Sequence, residues 1–220
     1  MWDETIVIML LEGTRDTLYM TLMSTLFGYL LGLPLGVVLA ITDKEGIRPH
    51  PVIYKVLDFV VNLIRSIPFL ILLILVIPIT KFIVGKSYGS TATIVPLVIA
   101  AAPFIARMVE SSLKEVDKGV VEAALSMGAS TWTIIWKVLL AEARTSLLVG
   151  VTIAIGTILG YSAMAGIVGG GGLGDIASRY GYYRYQTDIM IVTIVILVVL
   201  VQILQGIGMM LSKKLDRRRS

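Results

Sequence analysis

The sequence contains no cysteine, one histidine and few charged residues, and each shortage excludes a class of site. Without cysteine the chain can form neither a disulfide nor a thiolate metal site. The single histidine, His50, lies in a polar turn between two prolines and is expected to be a solvated loop residue, so no metal centre is expected. Only 15% of the residues are charged, whereas 56% are hydrophobic. This composition is far from that of a soluble domain and predicts an integral membrane protein.

Five apolar stretches are long enough to cross a bilayer core, which needs about 20 apolar residues in a helix. The predicted spans lie at about 17–41, 56–80, 91–109, 145–168 and 189–211. Several contain glycine or proline, which membrane helices tolerate where a neighbouring helix approaches closely. The predicted fold class is therefore all-α, with one polytopic membrane domain over residues 1–220.

The second span is the least regular of the five. Lys55, Asp58, Asn62 and Arg65 recur there at helical spacing, and the chain then becomes wholly apolar from Ile67 to Thr80. We interpret the polar part as the cytoplasmic end of a long, bent helix. Asp58 and Arg65 are expected to pair or to join helices rather than to bind substrate. No ionisable residue lies in the core of any span, which disfavours an ion-coupled carrier.

The distribution of basic residues predicts the orientation of the chain. With the N-terminus outside, thirteen of the nineteen Lys and Arg residues fall in cytoplasmic segments and five in outer segments. Short cytoplasmic loops are enriched in these residues. We therefore expect the N-terminus outside and the C-terminus, with Arg217, Arg218 and Arg219, inside.

The longest loop, residues 107–144, is then cytoplasmic and is predicted to fold as short helices. Asp117 can cap the first helix, placed at about 118–129, and Gly128 suits its end. Val121, Ala124, Leu125 and Gly128 fall on one face. Such a helix could pack on lipid headgroups or dock on a partner protein, and its amphipathic pattern does not distinguish the two. Glu122, near the positive end of the helix dipole, could pair with a partner's arginine.

The spacing of this loop resembles that of a known family. Glu122-Ala123-Ala124, then Gly128, then Val138-Leu139-Leu140 is similar to the signature of binding-protein-dependent permeases. The resemblance implies an ABC type I importer permease fold, in which residues 118–129 form a coupling helix that docks on an ATPase subunit. The residues that it assigns to this contact are Glu122, Ala123, Ala124, Leu125, Gly128 and Ala129. Ala141 departs from the family, which usually has proline there.

Further segments resemble the methionine-uptake members of that family. They are Arg65-Ser66-Ile67-Pro68-Phe69, residues 101–107, residues 160–166, and Gly169 to Gly172 followed by Leu173-Gly174-Asp175. The resemblance implies a homodimer of five-span subunits in the bacterial inner membrane, two copies of an ABC ATPase, and an extracytoplasmic substrate-binding lipoprotein. The expected function is ATP-driven import of L-methionine, with D-methionine or derivatives as further candidates, by alternating access. The alternatives are another amino acid or small polar solute as cargo, or an ion-coupled carrier.

Two phosphate-binding patterns fail in this context. Gly169, Gly171 and Gly174 match G-x-G-x-x-G but follow a membrane span rather than a strand. Gly85-Lys86-Ser87 lacks the earlier glycine of a phosphate loop. The chain is therefore expected to be no enzyme, to hold no cofactor and to bind no nucleic acid, with ATP hydrolysis left to a separate subunit.

The translocation gate is predicted late in the fourth span, at Tyr161, Ser162 and Met164. A flexible thioether beside small residues can fill and vacate a narrow passage. Ordinary helix packing accounts for Met164 almost equally well.

Overall fold

A computed structural model describes residues 4–215, and this part of the chain contains helices and turns but no strand. The all-α expectation is confirmed. In chain order the helices are α1 (Glu4–Thr42), α2 (Pro51–Ser66), α3 (Phe69–Leu75), α4 (Ile77–Val84), α5 (Ser90–Lys114), α6 (Lys118–Ser126), α7 (Thr131–Ile134), α8 (Leu140–Glu142), α9 (Arg144–Gly166), α10 (Gly172–Ile176) and α11 (Thr187–Leu215). π-Helical turns at Ile135–Leu139 and Ala177–Tyr182 continue α7 and α10. Residues 217–219, used for the orientation, lie outside the described residues.

Four of the described helices, α1, α5, α9 and α11, are long and apolar enough to cross a membrane. A fifth crossing results if α2 and α3 are taken as one bent span. Helix α1 begins at Glu4, well before the first predicted span, and its 39 residues extend for about 58 Å at 1.5 Å per residue. It is therefore longer than the hydrocarbon core, which is about 30 Å thick.

The second predicted span is not the single bent helix that the sequence suggested. The chain leaves helical geometry at Ile67, where φ is −82° and ψ is 124°, and α2 and α3 meet at 103°. Pro68 accounts for the break, because its ring disfavours the helical conformation in the residue before it. Pro78, in the first turn of α4, marks a second interruption.

The centre of the bundle is the packing of α1 against α5. Gly28, Gly32 and Gly36 form a stripe on α1 that faces α5, and all three are buried. A Cβ at Gly32 would lie 2.7 Å from the Ala102 carbonyl oxygen, and one at Gly36 would lie 2.5 Å from that of Ala106. Only glycine lets the two backbones approach this closely.

Helix α9 packs against both α1 and α5, and α11 packs against the outer side of α9. Only 11% of the most apolar 18-residue stretch of α11 is buried within the described chain, compared with 56% of the corresponding stretch of α5. The α6, α7 and α8 helices lie at the end of the bundle where α1 and α5 end and α9 begins. We call this the α6 end.

Candidate functional site

Both ends of helix α6 are fixed by the residues that the sequence predicted. The Asp117 carboxylate caps the first turn and accepts a hydrogen bond from the Gly119 N–H at 2.7 Å. Gly128 has φ +76°, and its N–H donates to the Leu125 carbonyl at 2.9 Å. Side chains are strained at this φ, so glycine is favoured. The helix ends at Ser126, before the predicted boundary at 129, because Gly128 turns the chain.

The predicted docking residues divide into buried and exposed groups. Ala124 is 6% exposed and packs in the main core with Ile134 and Leu139 of the following segment, and Ala129 is half-buried against the same cluster. The exposed members are Glu122, Ala123, Leu125 and Gly128. Leu125, which was expected to share a face with Val121 and Ala124, is 48% exposed, because this short helix rests on the bundle mainly through the other two.

Met127 is a surface feature that sequence reasoning missed. Its side chain is 81% exposed at the end of α6, where it directly precedes the turn at Gly128. The predicted face of Val121, Ala124, Leu125 and Gly128 did not include Met127, and no local signal in the sequence indicated its exposure. A flexible thioether in this position suits contact with a partner surface.

A cleft of about 300 Å³ separates α6 from the end of α1. Charged side chains line it, among them Asp43, Glu45, Lys118 and Glu122. Lys118 and Glu45 form an ion pair. This pairing lowers the pKa of Glu45 and raises that of Lys118. Glu122 makes no ion pair within residues 4–215, although its charge contributes to the raised pKa of the nearby Lys118, and its exposed carboxylate is accessible to an external cation.

An ionic network behind this cleft joins α1, α2 and α5. Its centre is Glu110, whose side chain is only 4% exposed and accepts from Arg107 at 2.6 Å, Lys114 at 2.8 Å and the Tyr54 hydroxyl at 3.1 Å. Lys114 also pairs with Asp43 at 2.7 Å. The Lys114 ammonium holds the pKa of Asp43 below its ordinary value, so this carboxylate is ionised at neutral pH.

Asp58 belongs to the same network, but Arg65, which was expected to pair with it, does not. Arg107 pairs with Asp58 and donates to the Asn62 side chain at 3.0 Å. The expectation that Asp58 joins helices is therefore confirmed, with Arg107 as its partner. Arg65 is exposed and pairs with no acidic residue in the described chain.

The three predicted gate residues occupy different environments on α9. The Tyr161 ring stacks on Phe69 of α3, with centroids 4.5 Å apart and ring planes 3° from parallel. Ser162 is 1% exposed, and its hydroxyl donates to the Leu159 carbonyl at 2.8 Å. Met164 is 45% exposed. Of the three, Met164 is the most exposed and is free to contact what lies beside α9.

The glycine-rich segment after α9 packs within the bundle. Gly169, Gly171 and Gly172 all have positive φ, which lets the chain turn back sharply after α9. The Leu173 N–H then donates to the Thr17 hydroxyl at 2.9 Å, which ties the start of α10 to α1. These contacts account for the glycines without a nucleotide.

A family comparison identifies the chain. The model of the family described as "binding-protein-dependent transport system inner membrane component" matches residues 32–217. The chain belongs to this family. The match confirms the resemblance carried by the α6 loop and makes the chain a membrane component of a transport system.

Curated relatives of this permease family are similar over nearly the whole chain. The "Probable D-methionine transport system permease protein MetI" of Vibrio cholerae is 54% identical over 210 residues, which cover 96% of this chain and 93% of that protein. The "Methionine import system permease protein MetP" of Bacillus subtilis is 46% identical over 207 residues, which cover 94% of this chain and 93% of that protein.

Solved structures agree on the fold. A chain from inward-facing conformations of the MetNI methionine ABC transporter superposes with a TM-score of 0.97 at 45% identity, covering 98% of this chain and 100% of that chain. An amino acid ABC transporter structure has a TM-score of 0.77 at 21% identity, over 94% of each chain, and supports the fold alone. The ABC type I importer permease fold is therefore confirmed.

Removal of the Glu110 carboxylate tests the ionic network. Glu110→Ala is expected to destabilise the permease by about 3 kcal/mol, the low end for breaking a buried ion pair, because Arg107 and Lys114 keep second carboxylate partners. Denaturant unfolding in detergent micelles measures the change. Glu45→Ala removes an exposed carboxylate from the same end of the bundle and should change stability little. Equal effects of the two variants would contradict the central role of Glu110.

Proposed function

We propose that this permease is the membrane-spanning subunit of an ATP-driven importer that carries methionine into the cytoplasm. The observation that carries the proposal is the likeness to the permease chain of a methionine ABC transporter, at 45% identity over 98% of this chain. The names of the V. cholerae and B. subtilis relatives point to the same cargo. L-Methionine is the principal candidate, and D-methionine is the second because the former relative is named for it.

The proposed assembly contains two copies of this chain, two copies of an ATPase subunit and an extracytoplasmic binding protein. The family description supports the binding protein, and the methionine transporter structure supports the ATPase. The apolar surface of α11, little of which is buried within one chain, is available to lipid and to a second copy. The excess of basic residues in the predicted cytoplasmic segments supports an outside N-terminus and an inside C-terminus.

Coupling to the ATPase is assigned to α6. Its exposed surface carries one unpaired carboxylate at Glu122 and one flexible apolar side chain at Met127, a combination that fits a basic and apolar cleft. Val121 and Ala124 join α6 to the bundle core. Displacement of α6 by the ATPase is therefore transmitted to the helices that it touches, which is what alternating access requires.

The gate is assigned to Tyr161, Ser162 and Met164 in different roles. Met164 presents an exposed thioether and is the proposed closing side chain. Ser162 allows close helix packing at the same level, because its hydroxyl is satisfied by its own helix. Tyr161, stacked on Phe69, links movement of α9 to α3.

A transport measurement tests the cargo. The chain, its ATPase and its binding protein are reconstituted in vesicles, and ATP-dependent uptake of labelled L-methionine is followed with unlabelled competitors. We expect competition by L-methionine, and by D-methionine if both enantiomers are carried, and none by unrelated amino acids. Stronger competition by another solute would replace methionine as the cargo. Flux that persists without ATPase would instead identify a channel or an ion-coupled carrier.

The Glu122 carboxylate is predicted to hold the ATPase. Glu122→Ala should weaken ATPase binding about tenfold, the equivalent of about 1.5 kcal/mol for one lost hydrogen bond to a charged group, and should reduce uptake. Titration of the ATPase subunit against the reconstituted permease measures this affinity. Glu142→Ala serves as the matched control, because Glu142 is an exposed carboxylate in the same loop. An unchanged affinity in Glu122→Ala would remove this residue from the contact.

Shortening Met164 is predicted to loosen the gate. Met164→Ala should increase ATP-independent leak of labelled methionine from loaded vesicles, because the smaller side chain cannot fill the passage. Ile153→Ala is the control, since Ile153 is 47% exposed on the same face of α9 and three turns away. If both variants leak equally, or neither leaks, the constriction is not at Met164.

A further inference from the structure

Two exposed tryptophans form a patch on the segment from α7 to α8, residues 131–142. Trp132 is 68% exposed and Trp136 is 52% exposed. Their rings contact each other edge to face, with centroids 5.5 Å apart and an interplanar angle of 61°. We call this pair the tryptophan patch. Exposure of two large adjacent rings to water is unfavourable in free energy, so the patch is expected to be covered by another apolar surface.

Helix α6 packs against this segment through buried residues. Ile134, Ile135 and Leu139 are buried in the same cluster as Ala124 of α6. The side chains that join the segment to α6 are therefore different from the two exposed tryptophans.

The patch lies close to the start of a membrane-crossing helix. Only Ala143 separates α8 from α9, and α9 is one of the helices long and apolar enough to span a bilayer. Trp136 is eight residues before Arg144, which is at most about 12 Å along a helix. The headgroup region on one side of the hydrocarbon core is about 5–7 Å thick, so Trp136 lies within it if the segment runs obliquely or along the membrane surface.

Exposed tyrosines occupy the corresponding position at the opposite end of the bundle. Tyr88 is 69% exposed just before α5, and Tyr182 and Tyr183 are 67% and 65% exposed just before α11. Helices α5 and α11 begin at the end of the bundle where α9 terminates. Exposed amphipathic rings thus lie at both ends of the spanning helices, which is the distribution of aromatic residues at the two membrane interfaces.

Charges around the patch suit phospholipid headgroups. Lys137 is exposed beside Trp136, and Arg144 follows at the start of α9, with Glu142 as the acidic residue between them. Basic side chains at this depth attract anionic lipids. The indole ring has an apolar body and one N–H donor, so it is most stable where hydrocarbon meets the headgroups.

We propose that the tryptophan patch is inserted in the phospholipid headgroup region of the leaflet at the α6 end, where it anchors the residue 131–142 segment. The segment then acts as an interfacial helix that holds the start of α9 at a fixed depth while α6 remains available to the ATPase. The cargo has no part in this inference, so it can fail or succeed independently of the methionine assignment.

The chain's own tryptophans provide the test. The sequence has three, Trp2, Trp132 and Trp136, so Trp2→Phe leaves only the patch fluorescent. This variant is reconstituted in vesicles of phosphatidylcholine and phosphatidylglycerol, with brominated phosphatidylcholine as quencher. Bromines are placed either near the headgroup or near the chain ends, and acrylamide serves as the aqueous quencher. A variant with all three tryptophans changed to phenylalanine gives the blank.

We expect stronger quenching by bromines near the headgroup than by bromines near the chain ends, and weak quenching by acrylamide. Addition of the ATPase subunit should leave this pattern unchanged. Quenching by acrylamide without quenching by bromolipid would place the patch in water and overturn the proposal. Loss of bromolipid quenching on addition of the ATPase would show that the ATPase covers the patch and would also overturn the proposal. Stronger quenching by the deep bromines would place the patch in hydrocarbon and contradict its location among the headgroups.

Discussion

The close approach of α1 and α5 is the constraint on which the rest of the structure depends. Gly32 and Gly36 remove the side chains that would separate the two backbones. Because the helices are in contact along this stripe, their ends emerge side by side, and Asp43 after α1 reaches Lys114 at the end of α5. The charged network, the cleft and the position of α6 all follow from this one contact. Van der Waals packing at small residues is one of the forces that associate helices inside a membrane.

The network at the α6 end stabilises a carboxylate that is buried inside the protein. Glu110 is almost fully buried, and burial of an unpaired carboxylate is costly. Arg107 and Lys114 of the same helix neutralise it, and the Tyr54 hydroxyl of α2 adds a third hydrogen bond that ties α2 to the bundle. A broken helix such as α2 and α3 would otherwise have little to fix its polar half to the bundle.

Local features of this fold could be predicted from the sequence, and distant pairings could not. Asp117 as a cap and Gly128 as a helix end depend on a few neighbouring residues, and both were predicted. The sharp break at Pro68 was underestimated, because a proline in a membrane helix is compatible with a kink as well as an interruption. Arg107 and Asp58 are 49 residues apart, and Phe69 and Tyr161 come from different helices, so nothing in the local pattern indicates their contacts.

The weak burial of α11 has a consequence for how the protein is made. Its principal contacts are with α9, α10 and the π-helical turn between α10 and α11, and none of the contacts between α1 and α5 requires it. Domains and their elements become available in the order of synthesis. All of these contact surfaces come from residues that precede α11 in the chain, so they are synthesised before it. The last span can therefore enter the bilayer as an independent helix and close the fold by lateral association, without rearrangement of the bundle already in place.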